Sequence, residues 1–223
     1  MRERTEISAV CFDFDGTLGM TGEELKNAWK HTIEHLDLDC PDFDNVYRIG
    51  PSLQDMSAKL FPEKTAEALS EIQRVFRGFY DNSDMKKSPP YPWCEEILRE
   101  FLKRGKKLYI VTNKRIKPLQ TILRNFGFGE FFSGIFSPDI CPRCEVLTKT
   151  ELLQMAITIA NRPAGNVLMV GDTDVDINAA HAVKCRSCGV LWGYGDINSL
   201  KKSSPDILVG EIDFFSEFDK QFI

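Results

Sequence analysis

The residues best suited to chemistry are two carboxylates near the start of the chain, Asp13 and Asp15, in the run Asp-Phe-Asp-Gly-Thr at 13–17. They follow the apolar run Ala-Val-Cys-Phe at 9–12, which predicts a buried strand. Because side chains alternate along a strand, Asp13 and Asp15 should point to the same side, and Gly16 lets the backbone turn sharply behind them. Paired acids at the end of a buried strand indicate metal-assisted phosphoryl transfer.

Groups that could hold an oxyanion follow a second predicted strand, at 107–111. Thr112, Asn113 and Lys114 supply a hydroxyl, an amide and an ammonium group there. Lys149 opens a later helical pattern, and a helix N-terminus favours phosphate. These residues are candidates for binding the oxygens of a phosphate group.

Further carboxylates follow a third predicted strand, at 166–170. Asp172 comes two residues after that strand and Asp176 four residues later. Hard carboxylate oxygens are the ligands that Mg²⁺ prefers. The sequence therefore predicts a magnesium site where these acids meet the pair at 13 and 15.

The elements that must position these residues alternate between strand and helix over most of the chain. Glycines at 105 and 127 end two of the helical patterns. Short apolar runs predict strands at 9–12, 107–111, 131–137, 166–170, 188–192 and 206–209. This alternation predicts an α/β fold with a doubly wound parallel sheet, in which ligands bind beyond the carboxyl ends of the strands.

A helical segment interrupts the alternation after the first strand. Apolar residues recur at helical spacing over 25–36 and 66–79, and Ser52 resembles a helix cap between them. The proline-rich stretch 88–92 then breaks the helical pattern. We expect residues 1–18 and 86–223 to form the α/β core and 19–85 a small inserted helical cap.

The motifs, in this order, resemble those of the haloacid dehalogenase-like hydrolase superfamily, and within it the phosphoglycolate phosphatase-like group. The likeness extends over nearly the whole chain, including the stretch 179–196. Met20 stands where such proteins often have an acid, and no proline follows Lys149. The resemblance implies an enzyme that hydrolyses a small phosphate monoester, phosphoglycolate or a similar metabolite.

The resemblance also implies a role for each candidate residue. Asp13 would be the nucleophile that becomes an aspartyl-phosphate, and Asp15 the general acid and then the general base. Asp13, the main-chain carbonyl of Asp15 and Asp172 would hold Mg²⁺, with Asp176 orienting that set. The phosphate-binding residues would be Thr112, Asn113 and Lys149. Residues that could set substrate specificity are Tyr47, Arg48, Gly50, Pro51, Ser52 and Leu53.

Other functions are compatible with the same residues. A phosphomutase of the β-phosphoglucomutase type would use them all but keep water away from the aspartyl-phosphate. A dehalogenase needs no acid at position 15, so the residue there favours a phosphatase. A catalytically silent phosphate-binding protein is a third possibility, although it would more readily have lost Asp13, Asp15, Lys149 or Asp172.

Composition limits the partners. The chain has 28 basic and 33 acidic residues, a net charge of −5, and lacks a long Lys/Arg run, so nucleic acid is not expected to bind. Its apolar stretches are strand-sized, and its charged start is not followed by a signal-type segment. We expect a cytoplasmic protein that does not bind membranes, takes a small phosphorylated metabolite as its partner, and is a monomer or a weak dimer.

Seven cysteines, an odd number, fit unpaired thiols in a reducing compartment. Two C-x-x-C pairs, Cys141 with Cys144 and Cys185 with Cys188, each have the spacing of half a zinc site. The predicted topology places the pairs at opposite edges of the sheet, about four strand spacings of ~4.8 Å apart. A zinc ion shared by both pairs is therefore not expected. Gly193-Tyr194-Gly195 lacks the third glycine of a dinucleotide-binding loop and is interpreted as a turn.

Overall fold

A six-stranded parallel sheet forms the centre of the molecule, in the order β3-β2-β1-β4-β5-β6. The computed structural model describes residues 6–140, 147–210 and 214–222. The strands are β1 Ala9–Phe12, β2 Lys107–Val111, β3 Gly134–Phe136, β4 Val167–Gly171, β5 Arg186–Val190 and β6 Ile207–Val209. Every neighbouring pair runs parallel, which confirms the predicted parallel sheet.

Four helices follow β1 along the chain and precede β2. They are α1 Gly22–His35, α2 Phe43–Val46, α3 Leu53–Leu60 and α4 Ala66–Tyr80. Ser52 caps α3 as predicted, because its hydroxyl accepts the N–H of Asp55 at 3.1 Å. Helices α1 and α4 pack together, with the rings of Trp29 and Phe76 4.7 Å apart. These apolar side chains belong to the same buried cluster as Phe12 of β1, so the insertion shares a hydrophobic core with one face of the sheet. The division into a core and a cap of residues 19–85 stays a prediction.

Helices cover both faces of the sheet, as a doubly wound fold requires. The remaining helices are α5 Cys94–Lys103, α6 Ile116–Phe126, α7 Lys149–Ala160, α8 Asp174–Ala182, α9 Ile197–Lys202 and α10 Phe214–Phe222. Val10 and Phe12 pack with α5, α6 and α10, whereas Ala9 and Cys11 pack with α7 and α8. The period of two along β1 thus sends alternate side chains into two separate clusters. Within the described parts of the chain, no helix has the length and hydropathy to cross a membrane.

Two predicted strands, β3 and β5, differ from the observed ones by two or more residues at an end, whereas β4 and β6 differ by one. β5 begins at Arg186, which pairs with Leu168, and ends at Val190, so Trp192 lies in the loop beyond the strand. The prediction followed the apolar residues at 188–192, and these continue past the last strand pairing. β3 is shorter than the predicted 131–137, because Phe131 belongs to a 3₁₀ turn and its ring lies under the guanidinium of Arg99, 5.1 Å from the ring centroid.

In the C-x-x-C pair at 185 and 188, Cys185 directly precedes β5 and Cys188 lies within the strand. Cys185 belongs to the buried cluster on one face of the sheet and Cys188 to the cluster on the other. Thiols on opposite faces cannot serve as adjacent ligands of one ion. Cys141 and Cys144 lie outside the described residues.

Candidate active site

Three neighbouring strands bring the predicted residues together. β2, β1 and β4 lie side by side, and Thr112, Asp13 and Asp172 follow their carboxyl ends directly. The N–H of Asp13 donates to the carbonyl of Val170 at 2.9 Å, which continues the sheet pairing by one residue. The chain leaves β1 to one side for β2 and returns on the other side at β4, so the group lies at a topological switch point.

Lys149 connects two of the acids. It is the first residue of α7, whose start is fixed by a capping box between Thr148 and Glu151. Its Nζ lies 2.5 Å from Oδ1 of Asp13 and 2.9 Å from Oδ1 of Asp176. Although burial opposes its charge, the two carboxylates raise the pKa of Lys149 above its usual value. The ammonium group is therefore charged at neutral pH and fixes the positions of both acids.

Asp172 is fixed by the chain after β5. Its Oδ2 accepts the N–H groups of Tyr194 at 2.7 Å and Gly195 at 3.1 Å, while Oδ1 accepts the hydroxyl of Thr17 at 3.2 Å. A Cβ at Gly193 would lie 2.2 Å from the Cβ of Asp172, and one at Gly195 would lie 2.0 Å from the main-chain oxygen of the same residue. The glycines that the sequence indicated as a turn therefore allow the backbone to reach the carboxylate.

The buried acids carry more negative charge than the site balances by itself. Burial first, and then Asp13 and Asp176, raise the pKa of Asp172 to about 8. Burial also raises the pKa of Asp13 to about 6, with Lys149 opposing the rise. One oxygen from each of Asp13, Asp172 and Asp176 lies within 4.8 Å of the other two. A divalent cation fits this cluster, because the carboxylate oxygens are hard ligands and the charge of the cation would stabilise the ionised form of both buried acids.

Asp15 is held by a contact that the sequence did not indicate. Nζ of Lys114 donates to Oδ1 of Asp15 at 2.9 Å and also to the hydroxyl of Tyr80, the last residue of α4. The side chain of Lys114 is 1% exposed. The sequence suggested that this ammonium group would hold an oxyanion, but its nearest acid is Asp15. The position of Lys114 directly after Asn113 was the one signal in the sequence that Lys114 belongs to the site. Nothing in the sequence indicated that Tyr80 would contact it.

A cavity of about 110 Å³ lies between the sheet edge and the helical insertion. From the sheet side it is lined by Asp13, Asp15, Thr112, Asn113, Lys149 and Asp176. From the insertion it is lined by the predicted specificity residues Tyr47, Arg48, Gly50, Pro51, Ser52 and Leu53. Asp172 does not line the cavity, but one of its oxygens lies within 4.8 Å of oxygens of Asp13 and Asp176, which do. An apolar surface is added by Leu25, Trp29, Met56 and Phe76.

The cations around the cavity differ in their partners. Lys149 is held by two acids, and Arg115 pairs with Asp81 and, at 2.9 Å, with Asp139. Arg48 donates from Nη1 to the carbonyl of Tyr47 at 2.6 Å. Among the described residues that line this cavity, Arg48 is the one cation without a carboxylate partner.

The chain matches the model of the haloacid dehalogenase-like hydrolase family over residues 10–190. A phosphoglycolate phosphatase of Photobacterium profundum is 28% identical over 222 residues, covering 95% of each chain. The pyrophosphatase PpaX of Oceanobacillus iheyensis is 27% identical over 206 residues, covering 92% of this chain and 94% of that protein. A haloacid dehalogenase-like hydrolase from Streptococcus pneumoniae has the same fold, with a TM-score of 0.82, 24% identity, and coverage of 94% and 97%.

The family match and the similarity to phosphatases show that the chain, with its acids clustered at the carboxyl edge of a parallel sheet, is an enzyme of the hydrolase class. The chain belongs to the haloacid dehalogenase-like hydrolase family and is similar to its phosphoglycolate phosphatase-like group. The predicted family and fold class are confirmed.

Proposed function

We propose that this protein is a Mg²⁺-dependent phosphatase that hydrolyses a small phosphate monoester through an aspartyl-phosphate at Asp13. The observation that carries the proposal is the meeting of Asp13, Asp15 and Lys149 at one cavity, beside an acidic cluster suited to a divalent cation. The names of relatives support it, since they include phosphoglycolate phosphatase and pyrophosphatase.

In the first step, an oxygen of Asp13 attacks phosphorus while the bond from phosphorus to the ester oxygen breaks. Asp15 gives its proton to the departing oxygen, so the products are an alcohol and the aspartyl-phosphate. In the second step, Asp15 takes a proton from water, which attacks the same phosphorus and frees Asp13 and inorganic phosphate. One residue thus acts as acid and then as base.

The surrounding residues position these groups. Lys114 holds Asp15 and is itself in contact with Tyr80 of the insertion, so the general acid has a fixed place relative to the cavity. Lys149, with Thr112 and Asn113, would bind the non-bridging oxygens of the phosphate. A substrate phosphate entering the cavity would compete with Asp13 and Asp176 for the ammonium of Lys149.

Asp13, the main-chain carbonyl of Asp15 and Asp172 would hold Mg²⁺, with Asp176 orienting that set. When bound, the ion supplies positive charge that lets an anionic nucleophile and an anionic phosphate approach. The bonds from Tyr194, Gly195 and Thr17 hold Asp172 without using its whole acceptor capacity, because a carboxylate offers about four lone-pair sites.

Cavity size and charge favour a small substrate with a second anionic group. Arg48 is available to pair with a carboxylate, whereas the other cations already have acidic partners. A volume of about 110 Å³ suits a compact metabolite. Phosphoglycolate has both properties and is the substrate that we propose.

The proposal is tested by Mg²⁺-dependent release of phosphate from p-nitrophenyl phosphate, phosphoglycolate and a hexose 1-phosphate. Asp13→Asn should abolish release from all three, because an amide is a poor nucleophile. Undiminished turnover in this variant would reject Asp13 as the nucleophile. Isomerisation of the hexose 1-phosphate in preference to its hydrolysis would replace the phosphatase by a phosphomutase.

A further inference from the structure

The loop of residues 192–195 does more than turn the chain after β5. As described above, the N–H groups of Tyr194 and Gly195 hold the carboxylate of Asp172. The same loop also contacts both segments through which the helical insertion joins the sheet. It therefore contacts the acidic cluster and also these two joining segments, residues 17–22 and Tyr91, which we call the hinge of the insertion.

The first hinge contact is at the start of α1. A helix begins with backbone N–H groups that have no partner within the helix. The hydroxyl of Thr21, at the N-cap, has no hydrogen-bond partner although it is buried, so it does not cap the helix. The N–H of Gly22 donates instead to the hydroxyl of Tyr194 at 2.9 Å, across 172 positions of sequence. Tyr194 thus performs the capping that the local sequence does not supply.

The second hinge contact lies where the insertion returns. The hydroxyl of Tyr91 donates to the carbonyl of Trp192 at 3.3 Å, and the N–H of Tyr91 donates to the carbonyl of Leu18 at 2.9 Å. Nε1 of Trp192 donates to the carbonyl of Thr17 at 3.1 Å. The hydroxyl of Thr17 in turn donates to Asp172. The two hinge segments and the acid are thus joined by one network of hydrogen bonds.

We propose that the 192–195 loop couples the carboxylate of Asp172 to the hinge of the helical insertion, with Tyr194 as the positioning residue. Its N–H binds the acid and its hydroxyl binds Gly22, so movement at one end changes the geometry at the other. The inference rests on the proposed cation site, because a cation at the acidic cluster would fix Asp172 and with it the loop. Coupling between two sites is reciprocal, so a fixed hinge must also favour binding of the cation.

The readout is hydrogen exchange of the Gly22 amide, resolved by NMR, with and without saturating Mg²⁺. In the wild type, Mg²⁺ should slow this exchange at least about fivefold, the lower end of typical coupling between two sites. Tyr194→Phe keeps the ring and the main-chain bonds but removes the hydroxyl. Its Gly22 amide should exchange about five- to tenfold faster, as expected for one lost hydrogen bond, and should not respond to Mg²⁺.

Tyr109→Phe is the matched control, because it also removes a tyrosine hydroxyl. Its ring lies 6.1 Å from that of Phe136, in a buried cluster that includes none of residues 192–195. It should behave like the wild type. By reciprocity, the Kd for Mg²⁺, measured by calorimetry, should be higher in Tyr194→Phe than in the wild type. The factor should equal the Mg²⁺-dependent slowing of Gly22 exchange that the variant loses. A Tyr194→Phe protein in which Mg²⁺ still slows exchange of Gly22 as in the wild type would overturn the proposal, since the tyrosine would then be a packing residue.

The calorimetry separates failure of the coupling from failure of the proposed function. If Mg²⁺ binds the wild type but leaves the exchange of Gly22 unchanged, the coupling is rejected and the phosphatase proposal stands. If Mg²⁺ does not bind the wild type, the cation site is rejected and the coupling with it.

Discussion

Removing the charge of Asp172 should stabilise the metal-free protein at alkaline pH. Asp172 is 1% exposed, and its pKa is raised to about 8 by burial first and then by Asp13 and Asp176. A carboxyl group whose pKa is raised in the folded state contributes stability below its unfolded pKa, near 3.9, and loses it as pH rises through the folded value. The metal-free wild type should therefore lose stability between pH 5 and pH 8.

The size of the loss follows from the pKa. Each pH unit over which the folded protein keeps a proton that the unfolded chain has released corresponds to about 1.4 kcal/mol, so three units set an upper limit of about 4 kcal/mol. Asp13, with its pKa raised to about 6, repels Asp172 less while it is itself protonated, and this lowers the expected loss to about 2 kcal/mol.

Asp172→Asn is the variant that isolates this effect, because an amide can keep the same contacts. Its oxygen can accept the N–H groups of Tyr194 and Gly195, and its NH₂ group can donate to the hydroxyl of Thr17. Urea denaturation in EDTA at pH 5 and pH 8 gives the free energy of unfolding. We expect the stability of the variant relative to the wild type to be about 2 kcal/mol greater at pH 8 than at pH 5.

Saturating Mg²⁺ should stabilise the wild type at pH 8 and have little effect on the variant, because binding to the folded state adds stability. A variant that is less stable than the wild type at pH 8 in EDTA would refute the reasoning, since the carboxylate would then be stabilising without a cation.

Three further substitutions test other parts of the site. Lys114→Met should lower kcat/KM about 10- to 100-fold for alkyl phosphates and less for p-nitrophenyl phosphate, since it frees the proton donor Asp15 and nitrophenolate leaves without a proton; equal losses would contradict this role. Arg48→Gln should raise KM for phosphoglycolate about tenfold and leave KM unchanged for an alkyl phosphate whose alkyl group carries no charge; equal increases in both KM values would reject the carboxylate contact. Gly195→Ala should cost at least about 2 kcal/mol in urea denaturation, because its Cβ would lie 2.0 Å from a main-chain oxygen, whereas Gly78→Ala in α4, with nothing within 4 Å, should stabilise by about 0.5–1 kcal/mol.

The apolar pattern of the strands was sufficient to predict where the site residues that directly follow them would lie. Asp13 and Thr112 follow strands whose apolar runs are short and clear, and the parallel arrangement brings their ends to one edge. The helix that begins at Lys149 was predicted equally well by the spacing of its apolar residues. Local pattern and the rule for ligand position in parallel sheets therefore predict where the site lies.

The contacts that hold those residues could not be predicted in the same way. The bond from Gly22 to Tyr194 and that from Lys114 to Asp15 join residues 172 and 99 positions apart, and their residue types are common at surfaces. The first depends on how the insertion packs against the sheet. The second depends on side-chain conformations beyond the neighbouring ends of β1 and β2, and no local pattern encodes either. The roles of the site residues and the monomeric or weakly dimeric state stay predictions.

Reductive trapping of the intermediate tests the central claim most directly. The protein is mixed with Mg²⁺ and phosphoglycolate, quenched in acid during turnover, and reduced with borohydride, which converts an acyl phosphate of aspartate to homoserine. Peptide mass spectrometry should locate homoserine at position 13, and omission of the substrate should abolish it. An unmodified Asp13 in a sample that is actively releasing phosphate, or trapping at Asp15 instead, would contradict covalent catalysis by Asp13.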